Sequence, residues 1–377
     1  MKAYFCSDDE SGVDLVRSHG AQPINIDGRG YIYSVAFLAD GKYFVSGDEE
    51  GIIRTWRIQD SNEVGIPMDV GSSVHDIAVS QDGKWIVSGT QNGFVTVWNA
   101  ESHEKVTEIE HTDDSEVDAV DVSPDGTKIP SGSREETLCV WSLLTSQQLL
   151  NPLKHDYWVV CAKFSPDRHL IATATCNRHS VRVYDSRNGH LLVNVPIKVS
   201  SDVNRSLAWV IDGKQLFTLS CNGNMHCLDP SHRTTLSKWF PGISEYTGCI
   251  ALESTGMLIA VLAGSSVFFW NTTTHKQIGA VIEHKHPVYS MTISDTTDLV
   301  ISGYNSITFT SLSDTLLRDN PTLCFKTVQK LRADLTDFQR KANQQKDGLC
   351  EIIRSMRADL HTEETSPSTV AFCMEAT

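Results

Sequence analysis

The sequence predicts an all-β protein: seven small antiparallel sheets arranged in a ring, followed by a helical C-terminal extension. Three observations carry that expectation. The stretch "VSGDEEGIIRTW" (45–56) returns forty-two residues later as "VSGTQNGFVTVW" (87–98). The position of Trp56 then recurs as Trp98, Trp141, Tyr184, Leu228, Trp270 and Thr310, in steps of 42, 43, 43, 44, 42 and 40 residues. A second marker keeps the same phase about sixteen residues upstream: Asp40-Gly41, Asp82-Gly83, Asp125-Gly126, Asp167-Arg168 and Asp212-Gly213, then the weaker Thr255-Gly256 and Thr297-Asp298. Two markers sharing one period indicate a repeat architecture rather than a set of unrelated domains.

The second unit shows how each repeat decodes into strands. Asp76-Ile77-Ala78-Val79 is an alternating run, and Asp82-Gly83 makes a turn because glycine accepts positive φ at little cost. Trp85-Ile86-Val87 starts the return strand, and Gln91-Asn92-Gly93 turns again into Phe94-Val95-Thr96-Val97-Trp98. A more polar fourth strand follows around Lys105-Val106-Thr107. No segment from Tyr31 to Phe309 shows a helical period.

A four-stranded sheet of about forty residues cannot cover both of its own apolar faces, so several must pack face to face about a common axis. The large ring closing the third strand wedges between neighbouring sheets, which gives Trp56, Trp98, Trp141 and Trp270 a structural role. Ser46-Gly47, Ser88-Gly89, Ser131-Gly132 and Ser302-Gly303 keep close approaches free of bulk. The expected architecture is a seven-bladed β-propeller.

At these residues the chain resembles the WD-repeat (WD40) family, over roughly residues 24–311. The resemblance is carried by "VSPDGTKIPSGSREETLCVW" (122–141), "FSPDRHLIATATCNRHSVRVYD" (164–185) and the two stretches quoted above. It implies a ring closed by an outer strand lent from the other terminus, for which Pro23-Ile24-Asn25-Ile26 is the matching piece. Wording such as "VSQDGKWIVSGT" and "VWNAESHEKV" looks like the stand-alone or receptor-attached WD-repeat proteins of fungi. Those receptors join a nucleotide-binding module with no counterpart in this sequence, which leaves incompatibility or stress sensing as a guess.

Departures from the family pattern matter as well. Family blades place an Asp in the turn after the second strand, linked through a His to a Ser or Thr and the Trp. Here that turn holds Glu50, Asn92, Glu135, Asn177 and Asn222, and the matching His stands only at His111, His155 and His284. The staple is therefore expected to be incomplete in every blade, with apolar packing dominating stability. Pro130, inside a predicted second strand, removes a donor and predicts a local irregularity.

After Ser311 the strand alternation stops. Val328, Leu331, Leu335, Phe338, Ala342, Leu349, Ile352 and Met356 follow three- and four-residue steps, a helical stripe over residues 320–360. Gln345 and Asp347-Gly348 interrupt it, so one helix or two fit equally. A coiled coil or hairpin for self-association and a helix folded back on the propeller or only partly ordered are both open. The expected organisation is an extension over 1–22, the propeller over 23–311, the helical segment over 320–360 and a disordered tail over 361–377.

The formal net charge of −15 argues against nucleic-acid or anionic-membrane partners. "MKAYFCSDDE" lacks a secretory core and no apolar run is long enough to span a bilayer, so a soluble, cytoplasmic protein is expected, with the nucleus as the alternative. Ten cysteines include no zinc spacing and read as reduced thiols. No phosphate loop, HExxH or GxSxG elbow is present, and neither a cofactor nor a metal is expected. Glu283, His284 and His286 supply too few fixed ligands on one short loop. The acidic run Asp113, Asp114, Glu116, Asp118 and Asp121 reads as a solvated loop, or less simply as the surroundings of a cation or basic peptide.

Propeller geometry gathers the loops leading into each inner strand and the turns after each second strand on one face. There the sequence places Arg29, Tyr31, Tyr157, Trp158, Tyr246, His286 and the turn residues Glu49, Gln91, Arg134, Arg178 and Tyr304. Aromatic and Arg side chains supply most interface energy, which favours Tyr157, Trp158, Arg134, Arg178 and Tyr304 as anchors. The leading expectation is a non-enzymatic scaffold binding a protein or peptide on that face. The alternatives are a small-molecule or catalytic propeller using the central channel, where Asp76, Asp118 and Asp121 have no His joined to them in the sequence reading, and a homo-oligomer assembled through residues 320–360.

Overall fold

The computed structural model describes residues 22–25 and 30–312, apart from 112–114, 177–179, 197–206, 220–222, 240–246, 254–255, 280, 285–286 and 295–297. The expected helical segment and tail lie outside the described residues. The described strands form seven four-stranded antiparallel sheets, six of them meanders in chain order whose first strand is innermost. The blades span residues 32–69, 74–110, 117–154, 159–196, 207–239, 247–283 and 288–311.

The seventh blade supplies only three strands of its own. Its outer position is taken by Gln22–Asn25, which runs antiparallel to Ser306–Ser311 with Pro23 opposite Thr308 and Ile24 opposite Ile307. The ring thus closes through the N-terminal piece the sequence pointed to, leaving Ile26 outside the described residues. A second clasp lies beside it. The Gly30 N–H donates to Asn305 Oδ1 at 2.5 Å, the Asn305 N–H returns a bond to Gly30 O at 2.9 Å, and Tyr31 bridges Tyr304.

The core sits between blades, and six of the seven closing residues pack on the blade before their own. Trp98 joins Val45, Ile53 and Met68 of the first blade, and Trp141 joins Val87, Val95 and Val97 of the second. Tyr184, Leu228 and Trp270 repeat the arrangement on Leu138, Val181 and Phe217, while Trp56 meets Val300 and Ile307 across the closure. Burying each of these side chains contributes about 1.5–3 kcal/mol. Gly132 shows why the corner is small: a Cβ there would lie 2.5 Å from Val159 of the next blade. Gly83 has φ of 71°, as the Asp-Gly turn requires.

The staple survives best in the third blade. Trp141 Nε1–H donates to Ser131 Oγ at 2.8 Å, Ser131 Oγ lies 2.7 Å from His111 Nδ1, and His111 Nε2 reaches Thr137 Oγ1 at 3.1 Å. The first blade keeps one link, Trp56 Nε1–H to Ser46 Oγ at 2.8 Å. In the second, neither Ser88 Oγ nor Trp98 Nε1 has a partner among the described residues. Asn92 accepts a bond from Thr90 Oγ1 at 2.7 Å, the residual role open to an amide at that turn. Pro130 has its effect on the neighbouring strand. The third inner strand, Val117–Val120, stops at four residues where the other well-formed inner strands have six, because the residue facing Pro130 finds no donor there.

Candidate partner-binding face

The loops before each inner strand and the turns after each second strand lie at one end of every blade, as the antiparallel order requires. Backbone bonds tie them together: Glu49 N–H to Tyr31 O, Gln91 N–H to Ser73 O, Arg134 N–H to Glu116 O and Cys176 N–H to Trp158 O. On this frame the start of the inner strand is bulged in every blade but the fifth, among the described residues. The register of the first blade skips Tyr33, that of the second His75, of the third Asp118, of the fourth Val160 and of the seventh Tyr289. A bulge inserts one unpaired residue and re-aims its side chain. Here it turns five homologous positions into a rim around the central opening.

The rim side chains form a continuous arc. Tyr304 packs edge-on to Tyr31 with ring centroids 5.0 Å apart, and Tyr31 contacts Tyr289 at 5.4 Å and Tyr33 at 5.9 Å. Tyr33 meets the His75 ring at 5.9 Å. His75 Nδ1 lies 3.0 Å from Asp118 Oδ1 and 3.6 Å from Glu116 Oε2. Arg134 Nε donates to Asp118 Oδ2 at 2.9 Å and its NH2 group reaches Glu116 at 2.8 Å, while the guanidinium stands 4.8 Å from the Trp158 ring centroid. The arc runs from the seventh blade to the fourth.

Exposure separates support from contact surface. Asp118 is 2% exposed and His75 is buried, whereas Tyr31, Trp158 and Tyr304 are 37%, 39% and 40% exposed. Burial, then the neighbouring rings of Tyr31 and Tyr33, push the Tyr289 hydroxyl up to about 12, so it stays protonated. His75, Glu116 and Asp118 offer ligand atoms within 4.8 Å of one another, a spacing a cation could use. Arg134 already supplies the positive charge there, which makes the group an ion-pair network.

Of the residues selected from sequence, Arg134 meets Trp158, and Tyr31 meets Tyr304 and Glu49, whose Oε1 accepts the Tyr31 N–H at 3.1 Å. Tyr157 is half-buried in the loop before the fourth blade, and Gln91 is an exposed turn tip. Arg29, Arg178, Tyr246 and His286 lie outside the described residues, as do Asp113 and Asp114. The sequence reading missed Tyr33, His75 and Tyr289. It also expected no His beside Asp76, Asp118 or Asp121, and the structure corrects that: His75 is joined to Asp118 across a blade seam.

Below the rim, the central channel encloses about 490 Å³. Its carboxylates hold blades together. Asp76 accepts the Ser34 hydroxyl at 3.1 Å and the Val120 N–H at 3.0 Å, linking the first three blades. Asp121 accepts the Phe164 N–H at 2.8 Å and Lys163 Nζ at 3.2 Å, linking the third to the fourth. Burial opposes the Lys163 charge, but Asp121 and Asp76 hold its pKa above the usual range; burial raises Asp121 in turn. These groups leave the channel without a free acid–base pair among the residues just described.

The WD domain, G-beta repeat family model matches residues 22–57, 69–99 and 147–185, which cover the closing strand, parts of the first, second and fourth blades and the outer strand of the third. The chain is a seven-bladed β-propeller that carries WD40 repeats. A stretch of 109 residues, 27% of the chain, is 34% identical to small ribosomal subunit protein RACK1 of Schizosaccharomyces pombe and covers 34% of that protein. Another of 177 residues, 46% of the chain, is 25% identical to kinesin-like protein KIF21A of Homo sapiens and covers 9% of it. A third, 44% of the chain, is 23% identical to periodic tryptophan protein 2 of Arabidopsis thaliana and covers 18% of it. The chain spans about a third or less of the curated relatives it matches.

Proposed function

We propose that the WD40 propeller is a non-enzymatic scaffold in the cytoplasm that binds a protein or peptide partner on its loop face. The observation that carries this reading is the rim itself. Three large aromatic side chains, Tyr31, Tyr304 and Trp158, are more than a third exposed, yet each is held in place: Trp158 under Arg134, and the tyrosines against each other and against Tyr33 and Tyr289. Rigid, partly exposed aromatics lose little entropy on contact and supply interface hot spots. Three relatives are named as small ribosomal subunit proteins, which supports a binding role.

The test is affinity capture from native lysate with the wild-type chain and a Trp158→Ala, Tyr304→Ala double variant, each first checked for an unchanged melting temperature. Loss of specific partners from the double variant is the expected result. Recovery of the same proteins in the same amounts would place the interaction surface elsewhere.

A further inference from the structure

We infer that the rim takes a cationic peptide segment, one bearing arginine or lysine, across Tyr31, Tyr304 and Trp158. The inference rests on the loop face being the binding surface and adds the chemistry of what binds there. Its first support is a pairing the chain makes with itself. The Arg134 guanidinium lies against the Trp158 ring while Glu116 and Asp118 hold its donors. An aromatic face carries negative potential, and a carboxylate at its edge adds a charged acceptor, so the two together recognise a cation. The same two elements recur at the far end of the arc. The Tyr31 and Tyr304 rings are exposed, and Glu49 is fixed beside them through the Tyr31 N–H.

The second support is the sign of the face. Its described loop tips carry Glu50, Glu135 and Glu136 against Lys154, while Arg134 is engaged by Glu116 and Asp118 and Arg182 by Asp156. At the opposite end of the blades several carboxylates are paired locally, Asp82 with Lys84, Asp125 with Arg168 and Asp185 with Arg187, and Lys42 and Lys214 share the turns of Asp40 and Asp212. Negative potential therefore concentrates where the exposed aromatics stand. It steers a cationic segment towards the rim and repels an anionic one such as a nucleic acid or a phosphorylated peptide.

The experiment uses the full chain and two fluorescein-labelled probes, an arginine–serine repeat peptide and its glutamate–serine counterpart, read by fluorescence anisotropy at low and high salt. The arginine probe should bind and the glutamate probe should not. Replacing Glu50→Lys and Glu136→Lys together should weaken the arginine probe about tenfold, and more at low salt. Glu101→Lys with Asp212→Lys, the same change in net charge at the opposite end, should leave binding within about twofold. Glu49→Gln, which keeps an acceptor for the Tyr31 N–H, should weaken it several-fold. Equal weakening by the two charge-reversal pairs would show attraction to net charge only, and stronger binding of the glutamate probe would reverse the sign; either overturns the inference. If native partners are lost on Trp158→Ala, Tyr304→Ala while the arginine probe ignores Glu50→Lys, Glu136→Lys, the loop face stands and the cationic chemistry falls. If neither readout responds, the loop-face reading itself fails.

Discussion

His75 Nδ1 lies 3.0 Å from a carboxylate oxygen of Asp118, forty-three residues along the chain and across the seam between the second and third blades. One repeat length separates them, so they occupy homologous bulge positions in adjacent inner strands. The same spacing recurs where Ser34 meets Asp76 and where Asp121 meets Phe164. Polar contacts between successive blades are contacts between successive repeats.

Asp118 is the hub of the rim, holding both Arg134 and His75 while almost fully buried. Asp118→Ala leaves a partly buried guanidinium without one of its carboxylates. It should destabilise the protein by about 2–3 kcal/mol in urea denaturation. It should also free the Trp158 ring, visible as a shift in tryptophan fluorescence. A variant with wild-type midpoint and spectrum would show that the pairing contributes nothing.

The corner serines should rank by their partners. Ser131→Ala removes the acceptor of Trp141 and the partner of His111, at about 2–3 kcal/mol. Ser46→Ala loses the single Trp56 bond, at about 1 kcal/mol. Ser88, whose hydroxyl has no partner among the described residues, should be nearly neutral when replaced by Ala. Urea midpoints of the three variants test the order.

Ring closure should depend on Asn305. This residue sits at φ of 50° and accepts the Gly30 N–H. Asn305→Gly keeps the conformation and loses the side-chain bond, about 1 kcal/mol; Asn305→Val loses both, about 2–3 kcal/mol. Light scattering on the valine variant should detect oligomers, since the exposed edge of Ser306–Ser311 is a pairing template once Gln22–Asn25 detaches. Equal melting temperatures for both variants would contradict this account.

Burial holds His111 and His155 neutral, with pKa values pushed down to about 4. The unfolded chain protonates them near their ordinary value of about 6.5. Between these limits the unfolded state binds more protons, so stability is complete above about pH 6.5 and falls as pH drops towards 4, by up to about 1.4 kcal/mol per pH unit for each ring. His111→Gln should flatten the slope measured by denaturation at stepped pH, although the variant is less stable at pH 7. An unchanged slope would mean that other groups carry it. Asp82, Asp125 and Asp185, each held at about 2 in the fold, extend the acid loss below pH 4.

Much of this architecture was legible in the residues. The spacing from Trp56 to Thr310 counts the blades, and Pro23-Ile24-Asn25 anticipates the closing strand, because strand pattern, turn chemistry and closing side chain are local properties that repeat. The position of a residue on the loop face also follows from the period, which is why Tyr31, Arg134, Trp158 and Tyr304 were selected. What alternation cannot register is a bulge: one extra residue shifts the period-2 pattern and sends Tyr33, His75, Asp118 and Tyr289 to the rim. Nor does any local rule pair Arg134 with Trp158, or Tyr31 with Tyr304 at the far end of the propeller. Those contacts exist because the ring has a particular radius and a closed circumference, and such distances arise when all the sheets pack together.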